Sequence, residues 1–242
     1  MLYPLMISKS FTIEPIGRIR TPYGQKFAVP RQPGLAPDAY GLIEFFSPYA
    51  QEDAFRGLKD FSHVHVIFIF DRARQDKFHA TVRPPRLGGN TSVGVFASRS
   101  PFRPSSLGLS ILKLIKVESI KGHVRLWVAG ADLVDGTPIV DVKPYIPFVD
   151  SIPDAVGGFA KAPPNCFKVE YSQQALDKLS DLDARHRRAI SQTLSQDPRP
   201  AYKGESDEKI YYALIYNRDV MFKVEDHVIK VLDVIVKGEV TC

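Results

Sequence analysis

Alternating apolar and polar positions recur through the first part of the chain, in runs at 11–20, 40–46, 63–70, 91–97, 107–117, 123–133 and 138–142, each bounded by Gly, Pro, Asn or Asp. A period of two puts one side of a run in a core and the other toward solvent, so each run predicts a β-strand. In the run at 63–70, Val64 and Val66 share one face while His63 and His65 share the other. Only 48–58 breaks this rhythm. There Ala54, Phe55 and Leu58 fall on one side of a predicted helix whose end Gly57 weakens. Because no crossover helices separate the strands, they are expected to pair antiparallel and to close into a barrel or sandwich.

Near residue 150 the pattern changes. Pro147, Pro153, Pro163 and Pro164, with Gly157 and Gly158, predict a linker. Beyond it Ser172 can cap a helix in which Ala175, Leu176, Leu179, Leu182, Ala189, Ile190 and Leu194 fall at roughly helical spacing, with a break near Asp183 and an end before Asp197. Runs at 209–216, 219–224 and 227–236 then alternate as strands, with turns at Asn217-Arg218 and Glu225-Asp226. The expected fold is mainly β: a small closed or nearly closed antiparallel barrel over residues 1–155 and a smaller C-terminal α+β domain over 156–242.

Composition narrows the function. A chain of 242 residues that is 44% apolar can bury a proper core, and a net charge of +5 suits nucleic acid or another polyanion. It has no run of about eighteen apolar residues to cross a bilayer. Residues 1–10 lack the basic start and long apolar stretch of a secretory signal, which places the chain in the cytoplasm. Cys166 and Cys242 are too isolated for a disulfide framework or a zinc site, and the His63/His65 pair has no visible third ligand. No metal is expected.

The charge is concentrated. Between 72 and 103 stand Arg72, Arg74, Lys77, Arg83, Arg86, Arg99 and Arg103 against only Asp71 and Asp76. A charge run is most often a solvated loop. Here Pro84, Pro85, Pro101 and Pro104 stiffen the backbone around the arginines, which reduces the entropy lost on binding. Two other loops stand out: Pro30-Arg31-Gln32-Pro33-Gly34, braced by prolines, and Asp132 to Asp141, which holds an Asp135-Gly136 turn. A plain hairpin also accounts for the latter. The chain has no Walker-type loop, no nucleophile elbow and no glycine-rich turn opening a helix after the first strand.

Taken together, the segments Arg20 to Gly24, Val29 to Gly34, Gly57-Leu58, Phe61 to His63, Thr81 to Asn90, Val93 to Pro104 and Ala131 to Pro144 resemble the TrmO (YaeB) family of β-barrel tRNA (adenine-N6) methyltransferases. The likeness runs over about 11–155 and returns at Gln196 to Tyr202. It implies an S-adenosylmethionine-dependent enzyme that methylates N6 of threonylcarbamoyladenosine beside the anticodon, built on a barrel, working as a homodimer and binding the anticodon arm of tRNA. It implies cofactor contacts from Pro30, Arg31, Gln32, Asp71, Arg72, Arg99, Leu109, Leu133, Val134, Asp135 and Gly136. Asp71-Arg72 stands where many members carry His-Gln, and Pro104-Ser105-Ser106-Leu107-Gly108 where many carry Pro-Asn-Pro-Ile-Gly.

Within that reading, Arg83, Arg86 and Arg103 are expected to hold phosphates or the threonyl carboxylate, and Phe102 to stack on a splayed base. Asp135, Asp141 and Tyr145 are the candidate proton acceptors or positioning groups. Arg185, Arg187, Arg188, Arg199 and Lys203 are expected to extend the RNA contact. A non-catalytic module that senses S-adenosylmethionine or binds RNA, and a methyltransferase with another acceptor, remain the alternatives.

Overall fold

The computed structural model describes residues 11–73, 77–200, 202–203 and 206–238. The expectations placed on residues 1–10, Arg74, Asp76 and Cys242 lie outside the described residues. Alternating burial sets the first unit. β1 (Gly17–Arg20), β2 (Tyr40–Phe45), β3 (His63–Ile69), β4 (Thr81–Val82), β5 (Val93–Gly94), β6 (Leu107–Ile120), β7 (His123–Ala129) and β8 (Pro138–Pro144) follow one another. Six of them close a barrel in the order β1-β2-β7-β6-β3-β8, every neighbour antiparallel. Ile19, Ile43, Val64, Val66, Leu112, Leu126, Val128 and Ile139 fill it, all fully buried. Closure leaves the barrel without an edge strand to pair with another chain.

After a short helix α1 (Pro147–Asp150) come β9 (Lys168–Tyr171), α2 (Gln173–Lys178), α3 (Ala184–Ser195), β10 (Asp207–Ile215), β11 (Arg218–Glu225) and β12 (Val228–Val236). The sheet order is β10-β11-β12-β9, with β9 parallel to β12. Ser172 Oγ accepts the Ala175 amide at 3.1 Å and Asp183 Oδ1 accepts that of His186 at 2.8 Å, so each helix starts on a side-chain cap. The cap at Asp183 is the break that the sequence suggested.

Several expectations need correction. Residues 48–58 form no α-helix; they make two tight turns, Glu52–Phe55 and Leu58–Asp60, separated by Gly57 at φ +85°. That left-handed conformation ends a helix. The run at 11–20 pairs only from Gly17, and 91–97 only over Val93–Gly94 before a turn at Val95–Ala97. The hairpin turns lie one residue earlier and later than expected, at Tyr216-Asn217 and Asp226-His227, where consecutive positive φ angles give the twist a two-residue hairpin needs. β9 arises within the expected C-terminal unit but was not anticipated as a strand.

The loop between β1 and β2 leaves the barrel. Tyr23, Ala28, Ala36 and Ala39 are buried in one core with Ala175, Ile190, Leu194, Phe222 and Val234 of the C-terminal part. Tyr23 also bridges to Ile215, and its hydroxyl lies 3.1 Å from Thr193 Oγ1. One loop therefore belongs to both units.

Candidate active site

At the barrel mouth where β3 ends, three segments distant in sequence meet. Arg72, just past β3, donates from Nη2 to the backbone oxygen of Asp135 at 2.7 Å, and its own carbonyl accepts from Lys26 Nζ. Arg99 donates from Nη1 to Gln32 Oε1 at 2.8 Å. The Asp135 bend is pinned to β1: its carboxylate accepts the Thr21 amide at 3.0 Å and Arg20 Nη1 at 3.3 Å, and its amide donates to Tyr23 O at 2.8 Å. Gly136 donates to Ile19 O at 2.8 Å. Leu133 and Val134 take part through their backbone, Leu133 O accepting from Thr21 Oγ1 at 2.8 Å and Val134 O from Thr137 Oγ1 at 2.7 Å.

The 30–34 loop docks on the end of β7. Gly34 N donates to Gly130 O at 2.9 Å, and a Cβ on Gly130 would lie 2.9 Å from Gly34 Cα, so only glycine allows this approach. Pro30 is buried there.

Asp132, which the sequence did not single out as a site residue, lies beside this cluster. Burial pushes its carboxyl up to about 6, against a hydrogen bond from Ser110 Oγ at 2.7 Å and the opposing charge of Arg99. Such a group is ionised near neutrality yet still basic enough to take a proton. A signal for it existed. Ser110 is a polar residue in the inward series Gly108, Ser110, Leu112 and Leu114 of β6, and it needs a partner.

Other expected residues are placed elsewhere. Arg31 donates from Nη2 to Arg199 O at 3.0 Å, toward the C-terminal part. Leu109 points outward from β6 and is 54% exposed. Asp141 sits on the outer wall, its carboxylate 3.1 Å from Lys143 Nζ. Tyr145 pairs with His63 at the start of β3 and packs against His65. Seven residues at about 3.3 Å each put it roughly 20 Å from the cluster within one chain. His65 in turn meets Asp150 at 3.0 Å, and no group of residues suited to a metal exists among the described residues.

Beside the mouth, β4 and β5 form a ribbon whose connecting loop carries Arg83 and Arg86, both exposed and without an ion-pair partner among the described residues. Gly88 and Gly89 lie in that connection at φ +72° and +71°. Arg103 is tied to Ser98 O at 3.1 Å, with Phe102 next to it 43% exposed.

The C-terminal cations are mostly engaged within the fold. Arg188 grips Asp38 through two bonds of 3.0 and 3.2 Å, Arg185 donates to Asp38 O at 3.2 Å and lies over the Tyr40 ring, and Lys203 meets Asp207 at 3.0 Å. Arg199 is 1% exposed and bonds Asp197. Of the five, Arg187 alone is exposed without an ion-pair partner among the described residues.

A closed antiparallel barrel with guanidinium and carboxyl groups gathered at one mouth, joined to a small α+β unit, places the protein in a β-barrel class distinct from doubly wound sheets. Family models for the tRNA-methyltransferase O N-terminal domain and the TrmO C-terminal domain match residues 18–151 and 164–237. The tRNA (adenine(37)-N6)-methyltransferase of Escherichia coli K12 is 46% identical over 222 residues, 90% of this chain and 94% of that protein. A putative S-adenosylmethionine-dependent methyltransferase of Pseudomonas aeruginosa is 43% identical, covering 92% and 97%. The crystal structure of TrmO from P. aeruginosa superposes with a TM-score of 0.76 at 35% identity, covering 93% of this chain and 98% of that one. The chain belongs to the TrmO family of S-adenosylmethionine-dependent tRNA methyltransferases. Among the described residues no helix is long and apolar enough to cross a membrane.

Proposed function

We propose that this protein transfers a methyl group from S-adenosylmethionine to N6 of threonylcarbamoyladenosine beside the anticodon of tRNA, at the position named for its E. coli relative, adenine 37. The observation that carries this reading is the convergence of Gln32, Arg99, Arg72, Asp132 and the Asp135 bend at one barrel mouth, with Arg83 and Arg86 exposed on the β4–β5 loop and without an ion-pair partner among the described residues. The donor set suits the cofactor. Arg99 and Gln32 can hold a carboxylate, while Asp71, Asp132 and Asp135 offer negative charge to a cationic donor. When bound, S-adenosylmethionine supplies an electrophilic methyl carbon.

The rest falls to the chain's own residues. Gln32, Arg72, Arg99 and the backbone from Leu133 to Gly136 orient the donor, and Arg83, Arg86 and Arg103 take the threonyl carboxylate and flanking phosphates. N6 must lose a proton as the new bond forms. Of the carboxyls at the mouth, Asp132 is the proton acceptor we favour, because Asp135 is committed to Thr21 and Arg20. Asp141 and Tyr145 reach the reaction only if a second copy brings them there.

A homodimer is part of this proposal. Leu109, Ile111 and Ile115 form an exposed apolar stripe on β6, and Phe148 and Ile152 near α1 are 89% and 65% exposed. Such surfaces suit burial against a second copy. Sedimentation at working concentration is expected to give twice the mass of one chain. We also propose that residues 1–155 carry the chemistry, that 156–242 form the accessory domain, and that the protein works in the cytoplasm, where its RNA is found.

The test is transfer of label from S-adenosylmethionine to tRNA with and without the threonylcarbamoyl group. Incorporation only with the group is expected. Equal incorporation would point to another acceptor, and none into either would favour a non-catalytic module.

A further inference from the structure

We infer that a cavity near the Arg72–Asp135 cluster receives an unpaired nucleobase adjacent to the methylated one in the RNA; this rests on the RNA-methylating function proposed above. The cavity measures about 570 Å³ and lies where the Ile69 end of β3 meets the start of β6. That volume falls within the range of small-molecule sites. Phe11, Phe78 and Phe102 supply rings to its wall, Lys77 and Arg103 supply cations, and His79 an imidazole. Among the described residues no carboxylate lines it.

The three rings are unusually open to water, at 77%, 62% and 43% exposed for Phe11, Phe78 and Phe102. None packs against another aromatic ring among the described residues. Exposed rings and cations lining one cavity match the two parts of a nucleotide: the base stacks, and its phosphate meets positive charge. A purely apolar ligand would leave the cations unused. Arg103 is held by Ser98 O at 3.1 Å through Nη1, while its other guanidinium nitrogens have no partner among the described residues.

Location selects which base. The wall shares two short segments with the cofactor cluster, since Ala73 follows Arg72, and Arg103 is anchored to Ser98, the neighbour of Arg99. Yet Gln32, Arg99, Asp132 and Asp135 are not part of the lining. A target base drawn into the barrel mouth leaves its neighbour unstacked, and the cavity next door offers that neighbour new stacking partners.

The test pairs Phe78→Ala with anticodon stem-loops that carry an abasic site at each unpaired position flanking the target adenosine. For the unaltered protein, one abasic position is expected to weaken binding by about 5- to 140-fold. Phe78→Ala is expected to lose a similar factor on the intact loop and nothing more on that abasic loop, and Phe78→Tyr to restore binding. Affinity for S-adenosylmethionine and melting temperature should not change in either variant. As a second measure, Lys77→Ala is expected to lower the salt slope of binding by about 0.7.

Unaltered binding of the intact loop by Phe78→Ala, or losses that multiply at every abasic position, would overturn the subsite. If the unaltered protein methylates the RNA in that case, only the subsite falls. Should it neither bind nor methylate any stem-loop, the functional reading falls with it.

Discussion

At the residue scale, the proposed proton transfer turns on Asp132. Its carboxyl is raised to about 6 because burial disfavours the charged form. The sign of the linkage follows. A raised folded value means that the native state holds the proton more tightly than the unfolded chain, so this group contributes stability below about pH 4 that is lost as pH rises through about 6. Asp132→Asn is expected to flatten the fall in melting temperature between pH 4 and 7, a difference of up to about 3 kcal/mol. Methyl transfer by the unaltered protein should rise with an apparent pKa near 6, and the Asn variant should be slower by about 10²- to 10⁴-fold with unchanged affinity for the methyl donor. A rate independent of pH from 5 to 8 would count against Asp132 as proton acceptor. Gly130→Ala, which sets a Cβ 2.9 Å from Gly34 Cα at φ +73°, should lower stability by at least about 1 kcal/mol and weaken donor binding through Gln32. Thermal melts and calorimetry measure both. The sequence names these groups but not their surroundings. Asp132 looks like any turn carboxylate until Ser110, 22 residues away, closes over it.

At the element scale, period-two alternation was enough to place β2, β3, β6, β7 and β8, since each buries one face in a closed barrel, while the run at 11–20 yields β1 only at its end. The same logic failed at 48–58, where apolar spacing suggested a helix but Gly57 turns the chain between two short turns. It also missed β9, because Lys168 to Tyr171 is only four residues long and gains its identity from parallel pairing with β12. The basic face of α3 was read as an RNA surface; most of it faces the barrel loop instead. Arg188 and Gln192 hold the Asp38 carboxyl below its usual range and bind both its oxygens. Asp38→Ala is therefore expected to cost about 1 to 3 kcal/mol of stability, read from denaturant unfolding. It should leave the salt dependence of tRNA binding as it was.

At the scale of the whole molecule, charge is distributed unevenly around an overall excess of +5. Arg83 and Arg86 on the β4–β5 loop are exposed without an ion-pair partner among the described residues, and each phosphate they neutralise releases bound counterions. Removing Arg83 and Arg86 together should lower the slope of log affinity against log salt by about 1.4 to 1.8, whereas removing Arg188 should not. Titrations at several salt concentrations separate the two. The resemblance carried by Thr81 to Asn90 and Val93 to Pro104 made the enzyme class legible at once, yet it gave no hint that Leu109 and Asp141 point to the outside of the barrel or that Tyr145 lies at the far end of β3.

The loop from Thr21 to Ala39 serves both halves of the protein: Gln32 meets Arg99 at the barrel mouth, while Tyr23 and Ala36 on either side of it are locked among the C-terminal side chains. Removing the tail would thus unmoor the wall of the reaction chamber itself. A fragment cut at residue 155 should retain its barrel yet grasp the methyl donor feebly, a defect that no amount of added RNA would repair.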